Sequence, residues 1–197
     1  MENIVAMIKA DEDLMMEYAS GSQEALEEIF QRYKKRILNF ALRLLGNLAD
    51  SEDVVSEVFF IVTSKKSSYA PTAKFSTWIH TIAYRRSIDR IRARKKTVFS
   101  WFQKQDSDAM NELEFMDPGP LADEQASKKE TEALVKDAVE RLPLKYKEVV
   151  VLREYQQLSY EEIAKVLGCS KNKVKTLLFR ARERLKKKLP SLLQEVR

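Results

Sequence analysis

The stretch LSYEEIAKVLGCSKNKVKTLLFRARERLKKKL, which runs from Leu158 to Leu189, decides the fold of the C-terminal part of this chain. Ser159 and Glu162 have the spacing of a capping box, in which each side chain satisfies a free amide at a helix start. Gly168 follows at the position where a left-handed residue ends a helix without a steric penalty. A second helical pattern then begins, and the two together predict a helix-turn-helix.

The second helix of this motif is strongly basic. Between Lys171 and Lys188 the sequence has nine basic residues and one acidic residue. A basic helix of this kind suits the major groove of DNA, where residues near the helix start meet base edges and later ones hold phosphates. The alternative is an ordinary helical hairpin whose charged face is simply solvated. The spacing of the motif and the excess of positive charge both favour DNA binding.

Length and composition indicate two small helical domains. The chain has 197 residues, of which 44% are hydrophobic and 33% charged, with only four glycines and five prolines. Few turn residues and many charged ones are typical of long helices whose outer faces are exposed to solvent. No strand pattern survives comparison with the helical one, so the predicted fold class is all-α.

The residues that form disulfides and metal sites are scarce in this sequence. A single cysteine allows no disulfide within the chain, and a single histidine leaves no cluster of metal ligands, so no cofactor or metal is expected. The N-terminus has no basic leader followed by an apolar segment, and no apolar run reaches the roughly 18 residues that cross a bilayer. We therefore expect a soluble, cytoplasmic protein without membrane insertion.

Helical periodicity continues through most of the chain, with apolar residues recurring every three or four positions. The predicted helices upstream of the helix-turn-helix are 11–20, Gln23–Leu45, Asp50–Thr63, Phe75–Lys95, 130–142 and Lys145–Glu154. Pro190 predicts the end of the basic helix, because proline disrupts a helix interior.

Charge is arranged in blocks along the sequence. Seven basic residues and one acidic residue lie between Arg85 and Lys96, and seven acidic residues and no basic one lie between Asp106 and Glu124. The breaker cluster MDPGP at 116–120 falls within the acidic block. We therefore predict an N-terminal domain over 1–96, an acidic linker over 97–130 and a C-terminal helix-turn-helix domain over 131–197.

In this order, the segments resemble the extracytoplasmic-function (group IV) sigma factors of bacterial RNA polymerase. SEDVVSEVFF at 51–60 resembles the family's core-binding helix, and FSTWIHTIAYRRSIDRIRARKK at 75–96 resembles its promoter-melting and minus-ten helix. The most specific matches are F-S-T-W, I-A and I-D-x-x-R in the second segment. The C-terminal L-S-Y-x-E-I-A and V-K-x-x-L-x-R-A-R complete the pattern, and the resemblance covers about 11–96 and 131–189.

The resemblance implies a promoter-specificity subunit with no catalysis of its own. Such a protein binds core RNA polymerase, recognises promoter DNA, melts it and directs transcription initiation. A regulatory anti-sigma factor is a further partner that the resemblance implies. By resemblance, the acidic linker threads the polymerase's active-site and RNA-exit channel, where its negative charge would occupy a path built for RNA. The alternative is a flexible tether whose charge only aids solubility.

By resemblance, one face of the 51–60 segment meets a coiled coil on the largest polymerase subunit. Exposed carboxylates with an aromatic neighbour suit a basic partner helix, and the alternative is a solvated acidic face. Ser56 departs from the glutamine that the family commonly has at its position. The predicted core-binding residues are Asp53, Ser56, Glu57 and Phe60.

The 75–96 segment combines what the opening of DNA requires, since cations hold phosphates and aromatic side chains stack on unpaired bases. By resemblance, the loop 65–74 frames a pocket for a base flipped out of the non-template strand. Core packing is the alternative for Trp78, and Asp89 is predicted to pair with a neighbouring arginine rather than with a base. The predicted minus-ten and melting residues are Tyr69, Lys74, Trp78, Tyr84, Arg85, Arg86, Arg90, Arg92 and Arg94.

In the helix-turn-helix, the resemblance implies recognition of the minus-thirty-five element. Asn172 suits adenine, and a lysine suits guanine. The predicted DNA-binding residues are Ser170, Lys171, Asn172, Lys173, Lys175, Thr176 and Arg180.

Two other classes of protein compete with the sigma factor. A free-standing helix-turn-helix transcriptional regulator would bind duplex DNA tightly without polymerase, whereas a sigma factor binds weakly until core is present. An enzyme acting on nucleic acid lacks support, because the sequence shows no histidine–cysteine cluster and no compact glycine-rich phosphate loop.

Overall fold

The computed structural model describes residues 9–65, 74–102 and 134–195, with side chains up to 94 in the second range and up to 188 in the third. Every regular element in these ranges is helical, which confirms the all-α prediction. The elements are α1 (Asp11–Ala19), α2 (Gln23–Leu45), α3 (Leu48–Ser64), α4 (Phe75–Phe102), α5 (134–140), α6 (Leu144–Val150), α7 (Tyr160–Leu167) and α8 (Lys171–Glu195). Within the described ranges, no helix has the length and apolar character that crossing a membrane requires.

The N-terminal domain is built around α2. The Ser22 hydroxyl caps the start of α2 by accepting a backbone N–H of the first turn at 3.2 Å. Gly46 ends the helix in the left-handed conformation, with φ 66°. The apolar stripe of α2 faces α1, α3 and α4, and the largest fully buried side chains of this domain include Tyr33, Phe40 and Phe75. Capping and a single buried stripe thus position the helices that carry the candidate site.

The C-terminal domain contains a π-helical turn, Val151–Tyr155, directly after α6. The sequence predicted one regular helix here, and the structure corrects that prediction. In a π turn the hydrogen bonds span five residues instead of four, and the Gln156 amide accordingly donates to the Val151 carbonyl at 3.1 Å. Gln157 follows with φ 58°, which is uncommon outside glycine. The wider turn leaves the Gln156 side chain buried against the N-terminal domain.

The helix-turn-helix forms as its capping residues predict. The Ser159 hydroxyl accepts the Glu162 amide at 3.2 Å, and the Glu162 carboxylate accepts the Ser159 amide at 2.7 Å, which completes the capping box. Gly168 is left-handed with φ 62°, and the Ser170 hydroxyl caps α8 by accepting the Lys173 amide at 3.2 Å. The inward side chains of α7 and α8 are buried, among them Ile163, Val166, Val174, Leu178 and Ala181.

Replacing Gly168 with alanine is expected to lower the free energy of unfolding by about 1–2 kcal/mol. A Cβ at this position would meet no atom within 4 Å, so the cost arises from the left-handed backbone and not from a clash. Chemical denaturation followed by circular dichroism measures the change. Gly168→Asn is the control, because asparagine tolerates this conformation, and it should recover part of the loss. An alanine variant as stable as the wild type would show that the turn relaxes freely.

The two domains pack on each other through α4. This helix lies against α7, while α2 contacts the π turn and α6. One cluster of buried side chains consequently runs through both domains, from Leu14 in α1 to Ala181 in α8. The sequence indicates two units separated by a linker and does not indicate this contact.

Two helices are longer than predicted. The last residue of α4 is Phe102, beyond the predicted end near Lys95, and α8 continues through Pro190 to Glu195. The expectation that Pro190 ends the helix is wrong, because a proline removes one backbone donor while the hydrogen bonds on either side can remain. The predicted linker therefore begins inside α4, and its remainder lies outside the described residues.

Candidate nucleic-acid and polymerase interfaces

One side of α3 carries carboxylates and a protruding aromatic ring. Phe60 is 73% exposed, whereas its neighbour Phe59 is 8% exposed and packs in the core. Asp53 and Ser56 are also exposed, and Glu57 is half-buried. The predicted core-binding residues thus share one side of the helix, and a ring that the fold does not bury is available to a partner.

The basic residues of α4 divide into groups, and the first group faces α3. It consists of three arginines at four-residue spacing, Arg86, Arg90 and Arg94. Arg90 lies 2.5 Å from Glu57 and 3.3 Å from Asp53, and Asp50 accepts from Arg94. Arg86 also contacts Glu57, at 3.4 Å. Carboxylates of α3 therefore hold three of the arginines that were predicted to bind DNA, and two of these carboxylates belong to the predicted polymerase-binding face.

A second group of predicted promoter residues lies on a different side of α4, against the C-terminal domain. The Tyr84 hydroxyl donates to the Glu148 carboxylate at 3.0 Å, and Lys74 pairs with Glu162 at 3.2 Å. Burial raises the pKa of both Tyr84 and Glu148, and the tyrosine therefore keeps the proton that it donates. Trp78 is half-buried and packs against the core shared by the two domains.

A cavity of about 270 Å³ opens where α3, α4 and α7 meet. Its lining combines apolar and cationic side chains: Ile61, Lys65, Trp78, Ile82, Arg85 and Lys165. An indole ring beside cations suits a nucleotide, because the base can stack while the phosphate is neutralised. Lys165 belongs to α7, and the C-terminal domain therefore contributes part of the wall.

The last two of the predicted minus-ten residues are Arg92 and Tyr69. Arg92 is 72% exposed and lies 3.8 Å from Asp89, which confirms that Asp89 pairs with a neighbouring arginine. Tyr69 lies outside the described residues. Among the described arginines of α4, Arg92 thus has a largely solvated side chain with only a distant ion pair.

The first turns of α8 present an exposed polar surface. The exposed side chains there include all the predicted minus-thirty-five residues: Ser170, Lys171, Asn172, Lys173, Lys175, Thr176 and Arg180. Ser170 uses its hydroxyl to cap α8, and Lys171 pairs with Glu161 of α7. Asn172, Lys175 and Thr176 project away from the buried stripe and are the best placed to meet base edges.

Sequence reasoning overlooked Phe179, which is 67% exposed on the same surface of α8. It follows Lys175 by four residues and Thr176 by three, and these spacings share a helix face. The run Leu177, Leu178 and Phe179 looks like core because Leu178 is buried, so only the helix angle separates the ring from its neighbours. An apolar ring in this place can contact the methyl group of thymine.

A buried histidine connects the two domains. His80 is fully buried, with Nδ1 2.7 Å from the Ser76 carbonyl oxygen and Nε2 3.1 Å from the side-chain amide of Gln156. Burial lowers the pKa of His80, so the ring is neutral and donates its one N–H to Ser76. The atom placed against Nε2 is the Gln156 Oε1, but a neutral ring with its proton on Nδ1 can only accept at Nε2. We therefore assign the amide in the flipped orientation, with its N–H group facing Nε2. In the sequence His80 looks like an isolated residue, because its partner lies in the other domain.

Lowering the pH from about 7.5 to 5.5 is expected to destabilise the folded chain through His80. The unfolded chain takes up this proton near the ordinary pKa of 6.5, whereas the buried ring resists protonation until lower pH. The stabilisation is thus complete above 6.5 and declines below it, by up to about 1.4 kcal/mol per pH unit. Denaturation at a series of pH values, compared with His80→Gln, measures the contribution. Identical pH slopes in the two proteins would contradict it.

Comparison with protein families gives two matches that together span more than half of the chain. The model of Sigma-70 region 2 matches residues 29–97, which cover most of α2 and all of α3, and reach into α4. The model of Sigma-70, region 4, matches residues 132–185, which cover α6, α7 and the larger part of α8.

The chain is also similar to curated sigma factors over most of its length. It is 31% identical over 173 residues to the ECF RNA polymerase sigma factor SigW of Bacillus subtilis, an alignment that covers 87% of this chain and 92% of that protein. It is 29% identical over 192 residues to the RNA polymerase sigma-H factor of Pseudomonas aeruginosa, which covers 94% of this chain and 96% of that protein.

Solved structures share the fold. CnrH, solved in complex with the cytosolic domain of CnrY, is similar with a TM-score of 0.66 and 22% identity over 93% of this chain and 99% of that one. The sigma factor RpoE from Bartonella quintana, solved with the anti-sigma factor NepR, has a TM-score of 0.61 and 22% identity over 87% and 98%. With both sigma-70 regions in the expected order and a relative that is 31% identical, the chain belongs to the extracytoplasmic-function sigma factors of the sigma-70 family.

Proposed function

We propose that this sigma factor binds core RNA polymerase through α3 and contacts promoter DNA twice, through α4 and through α8. The observation that carries the proposal is the presence of three candidate surfaces: the exposed acidic and aromatic side of α3, the Trp78 cavity of α4 with the exposed Arg85 beside it, and the exposed polar and cationic first turns of α8. The matched family ranges support a division into an N-terminal domain over 1–96, a linker over 97–130 and a C-terminal domain over 131–197. The protein acts in the cytoplasm as a specificity subunit, without catalysis or a cofactor of its own.

The polymerase contact rests on Asp53, Ser56, Glu57 and Phe60. An exposed phenylalanine on the same helix side as two carboxylates combines an apolar ring that a partner can bury with charge that steers a basic partner helix. The anchor and the steering charge lie within two turns of one rigid helix, so they can bind a helical partner together. Ser56 contributes a small neutral side chain in the middle of this surface.

Recognition of the minus-ten element uses the side of α4 that faces the cavity. Trp78 and Tyr84, with Tyr69, are the aromatic side chains that would stack on unpaired bases, at about 1–3 kcal/mol per base. Lys74, Arg85 and Arg92 would neutralise phosphates. Arg86, Arg90 and Arg94 keep their contacts with α3 in this scheme and thereby orient α4, while Arg85 and Arg92 are free to reach the backbone of DNA.

Recognition of the minus-thirty-five element uses the first turns of α8. Asn172 can form paired hydrogen bonds with adenine, Lys175 can donate to guanine and Phe179 can contact a thymine methyl group. Lys173 and Arg180 flank this surface and hold phosphates, which set the register of the helix in the groove.

An anti-sigma factor is the proposed regulatory partner. RpoE from Bartonella quintana, which shares the fold, was solved with such a protein. The exposed surfaces that bind polymerase and DNA are the natural targets of an inhibitor, because covering any one of them would block initiation.

Run-off transcription with purified core polymerase over a promoter library tests the proposal. The chain should direct initiation at specific start sites, and its binding to promoter DNA should weaken with salt at a log–log slope of about −0.9 per neutralised phosphate. If no specific start is found and the chain alone binds duplex DNA tightly, it acts as a free-standing helix-turn-helix regulator instead.

A further inference from the structure

We infer that Glu12 of α1 is a positioning residue for promoter opening. Its carboxylate accepts the first backbone N–H of α4 and so fixes the helix turn that carries Trp78. The inference rests on the proposed function of α4 and adds a residue that acts on the stacking surface from another helix. The matched range of sigma-70 region 2 begins at residue 29, so α1 lies upstream of it.

The start of α4 is capped by a side chain from a different helix. The Phe75 amide donates to the Glu12 carboxylate at 2.6 Å, across 63 positions of sequence. The amides at a helix start have no partner inside the helix, and a side chain just before the helix usually satisfies one of them. Here Lys74 precedes the helix, and its ammonium group can only donate. The first turn of α4 has no acidic residue, so Glu12 supplies a negative charge that the positive end of a helix favours.

The rest of α1 holds this carboxylate in place. Asp11 accepts from Arg32 at 2.7 Å and from the Tyr33 hydroxyl, and these contacts join the start of α1 to α2. Met15, one turn later, is fully buried in the core of the domain. The backbone of Glu12 therefore has little freedom to move, and its side chain presents an acceptor at a fixed place beside α4.

The position of Phe75 determines that of Trp78. The Phe75 ring is fully buried and lies edge-on to the Tyr33 ring, with centroids 5.2 Å apart. It also contacts the Trp78 indole, with centroids 5.6 Å apart and ring planes at 49°. Residues three apart share a helix face, so a shift at the first residue of α4 moves the indole as well. Since Trp78 lines the cavity, its orientation decides whether an unpaired base can stack on it.

The first turn of α4 is sensitive to the loss of this acceptor, because a helix end frays when its amides are unpaired. Without Glu12 the Phe75 N–H loses its partner, and the turn that contains Trp78 loosens. Promoter opening depends on the capture of unpaired bases by that turn, whereas the first turns of α8 bind duplex DNA without it. The loss should therefore slow opening and leave the initial binding of the promoter unchanged.

Glu12→Ala tests the inference in holoenzyme assembled with core polymerase, on a promoter identified from the library. The fluorescence of 2-aminopurine in the non-template minus-ten element reports the rate of opening, and a gel-shift assay at low temperature measures the affinity of the closed complex. Glu12→Gln is the conservative variant, because it keeps an oxygen that can accept the Phe75 N–H. Asp13→Ala is the matched control, because it removes an exposed carboxylate from the same first turn of α1.

Glu12→Ala should open the promoter about fivefold more slowly, as expected for the loss of one capping hydrogen bond, and should keep the closed-complex affinity of the wild type. Glu12→Gln should recover most of the rate, and Asp13→Ala should open the promoter as the wild type does. An unchanged rate in Glu12→Ala would overturn the inference. An equal loss of rate in Asp13→Ala, or a matching loss of closed-complex affinity in Glu12→Ala, would overturn it as well.

A measurement on the free chain separates this inference from the proposed function. In a Trp101→Phe background Trp78 is the only tryptophan, and quenching of its fluorescence by acrylamide reports how accessible the indole is. Glu12→Ala should increase the quenching, whereas Glu12→Gln should leave it near that of the wild type. Unchanged quenching in Glu12→Ala would contradict the positioning without any use of polymerase. If the quenching changes as expected but the wild type directs no specific initiation, the proposed function fails and the positioning of Trp78 by Glu12 stands.

Discussion

Replacing Phe60 with alanine is expected to weaken binding to core RNA polymerase by at least about tenfold while leaving the free energy of unfolding unchanged. The ring is 73% exposed, so the fold gains little from it, whereas an aromatic side chain at the centre of an interface is a typical hot spot. Binding is measured by competition for core polymerase against a labelled wild-type chain, with thermal denaturation alongside.

The neighbouring residue supplies a matched control. Phe59 is 8% exposed, and Phe59→Ala is expected to cost about 3–5 kcal/mol of stability through the cavity that it leaves. Phe60 is thus available to a partner, whereas Phe59 packs in the core. If Phe60→Ala binds polymerase as well as the wild type, the acidic face of α3 is a solvated surface and the polymerase contact lies elsewhere.

Replacing Arg90 with alanine is expected to destabilise the N-terminal domain by about 1 kcal/mol, although its sequence context marks it as a DNA contact. Its side chain is only 25% exposed and bridges Asp53 and Glu57. Its removal leaves Asp53 without this cation and Glu57 with only the more distant Arg86, at 3.4 Å, so the two carboxylates repel each other more strongly. Denaturation of the variant at moderate and high salt measures the loss, and salt should reduce it by screening that repulsion.

Arg92 is the matched control for Arg90. Its side chain is 72% exposed, so Arg92→Ala should change stability by less than about 0.5 kcal/mol and weaken promoter binding instead. Arg90→Lys should recover only part of the stability, because an ammonium group cannot bridge two carboxylates as a planar guanidinium does. If Arg90→Ala keeps the stability of the wild type but no longer binds the promoter, Arg90 contacts DNA and the proposed structural role is wrong.

Local features of the structure could be predicted well because their causes are local. The bounds of α2, Gln23 and Leu45, follow from the Ser22 cap and the left-handed Gly46, both of which act within one turn. The capping box and Gly168 set the helix-turn-helix in the same way. Helical periodicity likewise separates the exposed Phe60 from the buried Phe59, and the same spacing rule separates the exposed Phe179 from the buried Leu178.

Contacts between distant segments could not be predicted, because nothing in the spacing of residues reports them. The predicted DNA-binding residues of α4 divide between two neighbours: Arg90 pairs with the carboxylates of α3, whereas Tyr84 contacts the C-terminal domain. Only the packing of the helices decides which side chain meets which neighbour. The π turn could not be predicted either, because the apolar residues around Val151 fit a regular α-helix equally well.

The sequence alone therefore determined where most helices lie, the helix-turn-helix with its capping box, and the family, since each depends on neighbouring residues or on short motifs. Tertiary structure alone decided which of the predicted DNA-binding side chains are accessible. His80 appeared as an isolated residue in the sequence and proved to join the two domains through Gln156. The physical reason is that burial and pairing depend on segments 76 positions apart, which come together only when the whole chain folds.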